Sequence, residues 1–271
     1  MKQKVIFAPF RGEFGYFIMH YIRFVHHYPA REKIVCCQEG DEVFFPSATG
    51  FIHDARFETP DAWRFRIGEQ LSYGEEWIRE LKPGYEPICM RGTLTHDEII
   101  SQRFCLTPRT HRNLRSDVVI CPRHRHRSAQ RNFGHWQYIV NRLRAHHLTV
   151  AAVGQKESSQ ALSDLQFCSY DYPDASAAIE LLLNCRLYIG TDTGPSHLAA
   201  FLGRPMLVFR CEDRTTNYFP LMGRQTDKFC FVPRGWDKPE TVATAALLFM
   251  ERQGIPPHGV TNLAPGASQI E

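Results

Sequence analysis

The pattern of apolar and polar positions is regular in the second half of the chain, where short apolar runs alternate with helical periods. The apolar runs are 118–121, 148–153, 187–191 and 206–209, and the helical patterns are 134–146, 155–165, 176–185 and 195–202. Apolar runs of this length bounded by turn residues indicate buried strands. Strands that alternate with helices predict a parallel α/β sheet from residue 118 onward.

The first half opens with the same layout and loses it after residue 38. Strand-like runs at 5–9 and 34–37 flank a helical pattern over 16–28. Farther on, 68–82 has a helical pattern that Pro83-Gly84 should end. We therefore predict a first Rossmann-like lobe over 1–112 and a second over 113–255. The remaining segment, 256–271, holds three prolines and two glycines and is predicted to be a flexible tail.

Composition excludes several classes of protein. Apolar residues make up 43% of the chain and charged residues 23%, which is typical of a globular protein with a core. A net charge of +3 gives no argument for nucleic acid, and no apolar run approaches the ~20 residues of a membrane span. The nine cysteines are an odd number without CxxC spacing, which favours reduced thiols. We expect a cytoplasmic protein, with association at the inner face of the membrane left open.

A basic loop leaves the strand at 118–121. Between residues 109 and 144 there are nine arginines and one acidic residue, and the loop itself carries Arg123, Arg125, Arg127 and Arg131. Alternate residues of an extended segment share a face, so residues 123, 125 and 127 are expected on the same side. Such a cluster suits phosphate groups. A solvated basic face or an RNA-binding patch are the alternatives, although aromatic residues do not interleave the arginines as they do in a stacking platform.

A second candidate site follows the strand at 187–191. Asp192 stands at the carboxyl end of that strand, where open α/β sheets bind ligands. Gly194 permits a tight turn and Pro195 suits the first helical position, so the following N–H groups are expected to form an anion site. The alternative is an ordinary strand–turn–helix unit with Asp192 as a cap and His197 packed in the helix. Both interpretations stay open at this point.

The run from Asp192 to Pro205, D-T-G-P-S-H-L-A-A-F-L-G-R-P, resembles the signature of glycosyltransferase family 9, the heptosyltransferases and their relatives. The strand and basic loop at 119–136 and the segment 153–157 are also similar to family segments. The resemblance covers about residues 118–210 and is most specific at 190–205. It implies a GT-B fold of α/β class, in which two Rossmann-like lobes with parallel sheets face a cleft and the N-terminal lobe is shortened.

The resemblance also implies roles for individual residues. The second lobe would bind a nucleoside-diphosphate sugar, and because the family has a basic residue near these positions, Arg127 or Arg131 is favoured at the diphosphate among the candidates Arg123, Arg125, Arg127 and Arg131. Glu157, just past a strand end, is placed to bind the ribose, as acids near the second strand of dinucleotide folds do. Asp192 would be catalytic or orient the donor. The loop that follows it would contact the donor through Thr193, Gly194, Pro195, Ser196 and His197. Glu157 as a plain surface residue and His197 as a structural one remain alternatives.

The N-terminal loop 11–15 occupies the place where the family has a Gly-Asp loop that bears the candidate base. Here the acid is Glu13, so the resemblance implies that Glu13 is the catalytic base of the acceptor-side lobe. Gly12 and Gly15 would let the backbone approach the substrate. The alternative is that Glu13 only caps the helix behind it.

The sequence contains no Asp-x-Asp pair of the kind that holds a metal in other glycosyltransferases. His124-x-His126 and His146-His147 lack a cysteine or carboxylate at ligand spacing, so we expect neither a metal nor another cofactor. The expected activity is inverting, metal-independent transfer from a nucleoside-diphosphate sugar to a glycan, glycolipid or other acceptor. No nucleic acid partner is expected. The alternatives are another GT-B enzyme, such as a sugar-nucleotide epimerase or a GDP-fucose-type transferase, and a non-catalytic nucleotide-sugar binder.

Overall fold

The computed structural model describes residues 2–10, 12–54, 75–90, 92–109, 111–126, 129–210 and 226–254. Three expectations therefore lie outside the described residues: Arg127 as a donor ligand, the flexible tail 256–271, and the first part of the helix predicted at 68–82. The latter part of that helix is present as Glu75–Leu81.

Two parallel sheets organise the described chain, as the strand–helix alternation predicts. The first has strands β1 (Lys2–Phe7), β2 (Ala30–Cys36), β3 (Gly50–Ile52) and β4 (Glu86–Ile88) in the order β3-β2-β1-β4. The second has β5 (Val118–Ile120), β6 (Val150–Ala152), β7 (Leu187–Thr191), β8 (Met206–Phe209) and β9 (Phe229–Val232) in the order β6-β5-β7-β8-β9. All neighbouring strands in both sheets run parallel.

Helices cover the first sheet and connect its strands. The segment predicted to be helical at 16–28 forms α1 (Phe14–Tyr16) and α2 (Ile22–His27), joined by a π-helical turn at Phe17–Tyr21. Its apolar side packs on the sheet through fully buried side chains such as Ile18, Ile22 and Val25. Helices α3 (Glu75–Leu81) and α4 (His96–Ser101) follow.

The second sheet is enclosed by longer helices. These are α5 (Trp136–Ala145), α6 (Ser176–Asn184), α7 (Gly194–Phe201) and α8 (Pro239–Arg252). Every residue of β5, β6, β7 and β8 is buried, as expected for parallel strands covered on both faces. The helices predicted at 134–146, 176–185 and 195–202 are thus present with ends shifted by one or two residues.

The helix predicted at 155–165 is wrong. Only a single 3-10 turn, Lys156–Ser158, forms there, because the backbone that follows turns back onto the basic loop. The N–H of His124 donates to the carbonyl of Ser158 over 2.7 Å, and the N–H of Gln160 donates to that of Pro122 over 2.7 Å. The Ser159 hydroxyl also donates to the Gln155 carbonyl over 2.8 Å, a local competitor of helical bonding.

The two sheets share one buried apolar cluster, which includes Phe7 and Ile18 on one side and Val119 and Leu198 on the other. Residues 111–116 lead into the second sheet, and the lobe boundary predicted after residue 112 lies within this segment. Glu180 of α6 fixes this segment, since its carboxylate accepts the N–H groups of Arg112 over 2.9 Å and Leu114 over 3.0 Å.

Candidate functional site

A cleft of about 590 Å³ lies where the carboxyl ends of both sheets meet. This volume is in the range of small-molecule sites. The loops after β1 and β2 contribute Glu13, Phe14, Gly15, Glu39, Asp41 and Phe44. The loops after β5, β6 and β7 contribute side chains that include Arg123, Arg125, Arg131, Gln155, Asp192 and His197.

Most of the residues singled out from the sequence line this cleft: Glu13, Arg123, Arg131, Asp192, Thr193, Gly194, Pro195 and His197. Glu157 is exposed on the 3-10 turn and is not among the lining residues. Ser196 is fully buried beneath the loop. Its hydroxyl donates to the Thr191 carbonyl over 2.6 Å and lies 2.8 Å from the Tyr188 hydroxyl, so its place is structural.

Asp192 is held between two basic side chains. Its Oδ2 lies 3.2 Å from Nη2 of Arg131, and its Oδ1 lies 3.7 Å from Nε2 of His197. Asp192 is buried, with 8% of its surface exposed. A carboxylate already engaged in this way is poorly placed to take a proton from an approaching hydroxyl, and it is better suited to orienting its neighbours.

Three arginines concentrate positive charge on the same wall. Arg123 is buried, and burial together with the nearby Arg125 and Arg131 lowers its pKa. Arg125 extends its Nη2 to Oε1 of Gln155 over 2.8 Å. Guanidinium groups crowded together repel each other, and an anion bound among them would relieve that repulsion. The wall is therefore suited to a multiply charged anion.

The N-terminus of α7 offers fewer donors than the sequence predicts. Pro195 has no N–H, and the N–H groups of Ser196 and His197 both donate to the carbonyl of Thr193, over 3.1 and 3.3 Å. The arginines are consequently the main source of positive potential at this end of the cleft.

Glu13 lies on the opposite wall. It is exposed and precedes α1 as the N-cap residue, but its side chain makes no capping hydrogen bond. Tyr16, on the first turn after Glu13, is half-buried, and burial, then the charges of Glu13 and Asp192, raise the pKa of its phenol.

The absence of a side chain at Gly15 lets another part of the protein, the His197 ring, come close to its backbone. A Cβ at Gly15 would lie 2.7 Å from Cδ2 of His197, and one at Gly194 would lie 2.6 Å from Cδ1 of Phe14. The loop that carries Glu13 and the loop that carries Asp192 are therefore packed directly against each other.

Some lining residues escaped the sequence analysis. Gln155, Tyr172 and Asp174 face the cleft, and so does Asp41 from the first sheet. Asp174 precedes α6 and accepts the N–H of Ser176 over 2.8 Å, so its position before a helical pattern was the available signal. Nothing in the periodicity marks Gln155 or Tyr172, since their place in the cleft depends on how the loops pack.

Among the described helices, none has the length and apolar character needed to cross a membrane. The described residues also bring together no group of three or more His, Cys, Asp or Glu side chains that could hold a metal ion.

The model of the family described as "Glycosyltransferase family 9 (heptosyltransferase)" matches residues 174–226, a stretch that includes α6, β7 and the Asp192 loop. The resemblance seen in the sequence is thereby confirmed. The chain is therefore similar to glycosyltransferase family 9 over this segment, which supports a glycosyltransferase.

Solved structures similar to this chain confirm the GT-B fold. E. coli ADP-heptose LPS heptosyltransferase II superposes with a TM-score of 0.52 at 12% identity, covering 92% of this chain and 99% of that one. The glycosyltransferase family 9 protein from Veillonella parvula DSM 2008 superposes with a TM-score of 0.56 at 10% identity, covering 93% and 98%. At these identities the likeness concerns the fold. Among curated protein sequences, no significant match is found.

Proposed function

We propose that this glycosyltransferase moves a sugar, with inversion and without a metal ion, from a nucleoside-diphosphate sugar to a hydroxyl group of a glycan, glycolipid or similar acceptor. One observation carries the proposal. The exposed carboxylate of Glu13 lines the cleft from the first sheet. Opposite it, Arg123, Arg125 and Arg131, which we call the arginine wall, line the same cleft from the second sheet.

The donor belongs on the arginine wall. Negative charge develops on the diphosphate as its bond to the sugar breaks, and preorganised positive groups stabilise that charge most effectively. Arg123, Arg125 and Arg131 supply three guanidinium groups, which bind phosphate oxygens through charge-assisted hydrogen bonds. The solved structure named for ADP-heptose supports a nucleotide sugar as donor, because it has a similar fold.

The base belongs on the wall of the first sheet. The acceptor oxygen must attack the anomeric carbon from the face away from the diphosphate, so its proton leaves on the side opposite the arginines. Glu13 would take that proton while the new bond from the oxygen to the anomeric carbon forms. The bond from that carbon to the diphosphate oxygen breaks at the same time, and its electron pair leaves with the nucleoside diphosphate. The products are the inverted glycoside and free nucleoside diphosphate.

The rest of that wall combines aromatic and acidic groups. Phe14 and Phe44 contact each other edge to face with ring centroids 5.7 Å apart, and Asp41 lies beside them in the lining. Burial, and to a smaller extent the charge of Glu42, raises the pKa of Asp41 to about 7. A protonated carboxyl can both donate and accept hydrogen bonds, which suits an acceptor rich in hydroxyl groups.

A thermal-shift panel of ADP-, GDP-, UDP- and CDP-sugars tests donor binding, since a ligand of the native state raises the melting temperature. We expect one nucleotide to stabilise the protein clearly more than the others. We also expect the shift, and the release of nucleoside diphosphate in the presence of acceptor, to persist in excess EDTA. If EDTA abolished both and magnesium restored them, the metal-independent mechanism would be wrong.

A further inference from the structure

The basic loop is closed by one side chain. Oδ1 of Asn132 accepts the N–H of Arg125 over 3.0 Å, and Nδ2 of Asn132 donates to the Arg125 carbonyl over 2.6 Å. The amide group thus satisfies both backbone polar groups of a residue seven positions earlier in the chain. This fixes the backbone at Arg125, and Arg131 is the residue that precedes Asn132 in the chain.

Asn132 is also bonded to a residue that follows the second sheet's strand β8. Arg210 follows β8, and its Nη1 donates to the carbonyl of Asn132 while its Nε pairs with Asp237. The guanidinium also lies over the ring of Phe133, with 5.5 Å between the guanidinium carbon and the ring centroid. Asn132 is therefore held at its backbone by Arg210 while its side chain holds Arg125.

The hydrogen bonds of Asn132 hold the backbone from which the arginine side chains extend. Arg125 reaches Gln155 across the cleft wall, and Arg131 reaches Asp192 over 3.2 Å. An arginine side chain has a large rotamer entropy, so phosphate binding is stronger when the backbone that carries it is already fixed. Asn132 itself is not among the cleft-lining residues.

We propose that Asn132 is a positioning residue for the diphosphate, acting through Arg125 and Arg131 rather than by touching the substrate. The inference rests on the proposed function, because it takes the arginine wall as the diphosphate site.

The test uses inorganic pyrophosphate as the probe, so that the nucleotide base does not matter, and titration calorimetry as the readout. Asn132→Ala should weaken pyrophosphate binding roughly tenfold, the size of one charge-assisted hydrogen bond. The matched control is Asn141→Ala, which removes an exposed asparagine of α5 that bonds to Gln137 and should leave affinity unchanged.

A double-mutant cycle separates positioning from a general structural effect. If Asn132 acts partly through Arg125, Asn132→Ala should weaken binding clearly less in an Arg125→Ala background than in the wild-type background. Amide hydrogen exchange gives an independent readout, because the Arg125 N–H should exchange faster once its acceptor is lost.

The outcomes are distinguishable. Wild-type affinity in Asn132→Ala, or equal losses in both backgrounds, would overturn the positioning role while leaving the diphosphate site intact. A wild-type protein that does not bind pyrophosphate would overturn the diphosphate site, and the positioning role with it.

Discussion

Two carboxylates in one cleft differ in what surrounds them. Asp192 is buried between Arg131 and His197, whereas Glu13 is exposed and makes no capping hydrogen bond. In the proposed mechanism Asp192 orients its neighbours and Glu13 accepts the proton. This proposed division of roles follows from environment, since the two residues carry the same functional group.

Arg131 gives the most direct residue-level prediction on the donor side. Arg131→Ala should weaken nucleoside diphosphate binding by about 1.5–3 kcal/mol, because it removes a charge-assisted contact. Calorimetry measures the loss, and Arg142→Ala, on an exposed turn of α5, is the matched control. An Arg131→Ala protein with the affinity of the wild type would place the diphosphate elsewhere.

His20 predicts how stability depends on pH. It is buried and its Nδ1 accepts the N–H of Leu94 over 3.2 Å. Burial, followed by the charge of Arg23, lowers the pKa of His20 to about 4. Between pH ~6.5 and ~4 the unfolded chain binds a proton at this site that the native protein does not, so the free energy of unfolding falls as the pH is lowered through that window.

The loss attributable to His20 approaches about 3 kcal/mol at the acid end, since one pKa unit corresponds to ~1.4 kcal/mol. His20→Asn keeps a side-chain acceptor for Leu94 and removes the titration. Urea unfolding at pH 7, 5.5 and 4 should therefore show a shallower pH dependence in the variant. Parallel curves for the two proteins would contradict the assignment.

Among the elements, α1 and α7 connect the two halves of the candidate site. Gly15 lies against the His197 ring and Gly194 against Phe14, so each loop meets the other at a residue without a side chain. Because the contact is this close, we expect the packing of each ring on the opposite glycine to set the spacing between the two loops.

Gly15→Ala tests that contact. The added Cβ would lie 2.7 Å from Cδ2 and 2.9 Å from Nε2 of His197, so the ring must move away from its place beside Asp192. We expect a loss of turnover of at least tenfold, with a destabilisation of about 1–3 kcal/mol from overpacking. Gly134→Ala is the control, because nothing lies within 4 Å of its added Cβ. Equal turnover in both variants would show that the contact does not position the site.

The sequence predicted the elements of the second sheet best. The strands at 187–191 and 206–209 are present with the same ends, because central parallel strands are continuous apolar runs. Strands β3 and β4 were missed, because Gly50–Ile52 and Glu86–Ile88 do not form continuous apolar runs as β5 and β6 do. The false helix at 155–165 arose because its local pattern is overridden by hydrogen bonds to the basic loop, which only the folded chain brings near.

At the scale of the whole molecule, the cleft depends on both sheets. The lining residues predicted from the sequence follow the carboxyl ends of β1, β5 and β7, which the α/β pattern already brings to one edge of each sheet. The facing of the two edges was expected from the family resemblance and not from the strand–helix pattern, since it depends on α1 packing on α7 and on Glu180 holding the connection between the sheets. The position of Gln155 in the cleft likewise depends on how the loops pack, so the sequence pattern did not predict it.

The central claim is that Glu13 accepts the proton of the acceptor hydroxyl, and Glu13→Gln tests it most directly. The substitution keeps size and polarity and removes the base. The variant should keep its fold and its nucleoside diphosphate affinity while turnover, followed as release of nucleoside diphosphate in the presence of acceptor, falls roughly 10²–10⁴-fold. Turnover within a few-fold of the wild-type rate would contradict the account and make Asp192 the next carboxylate to test.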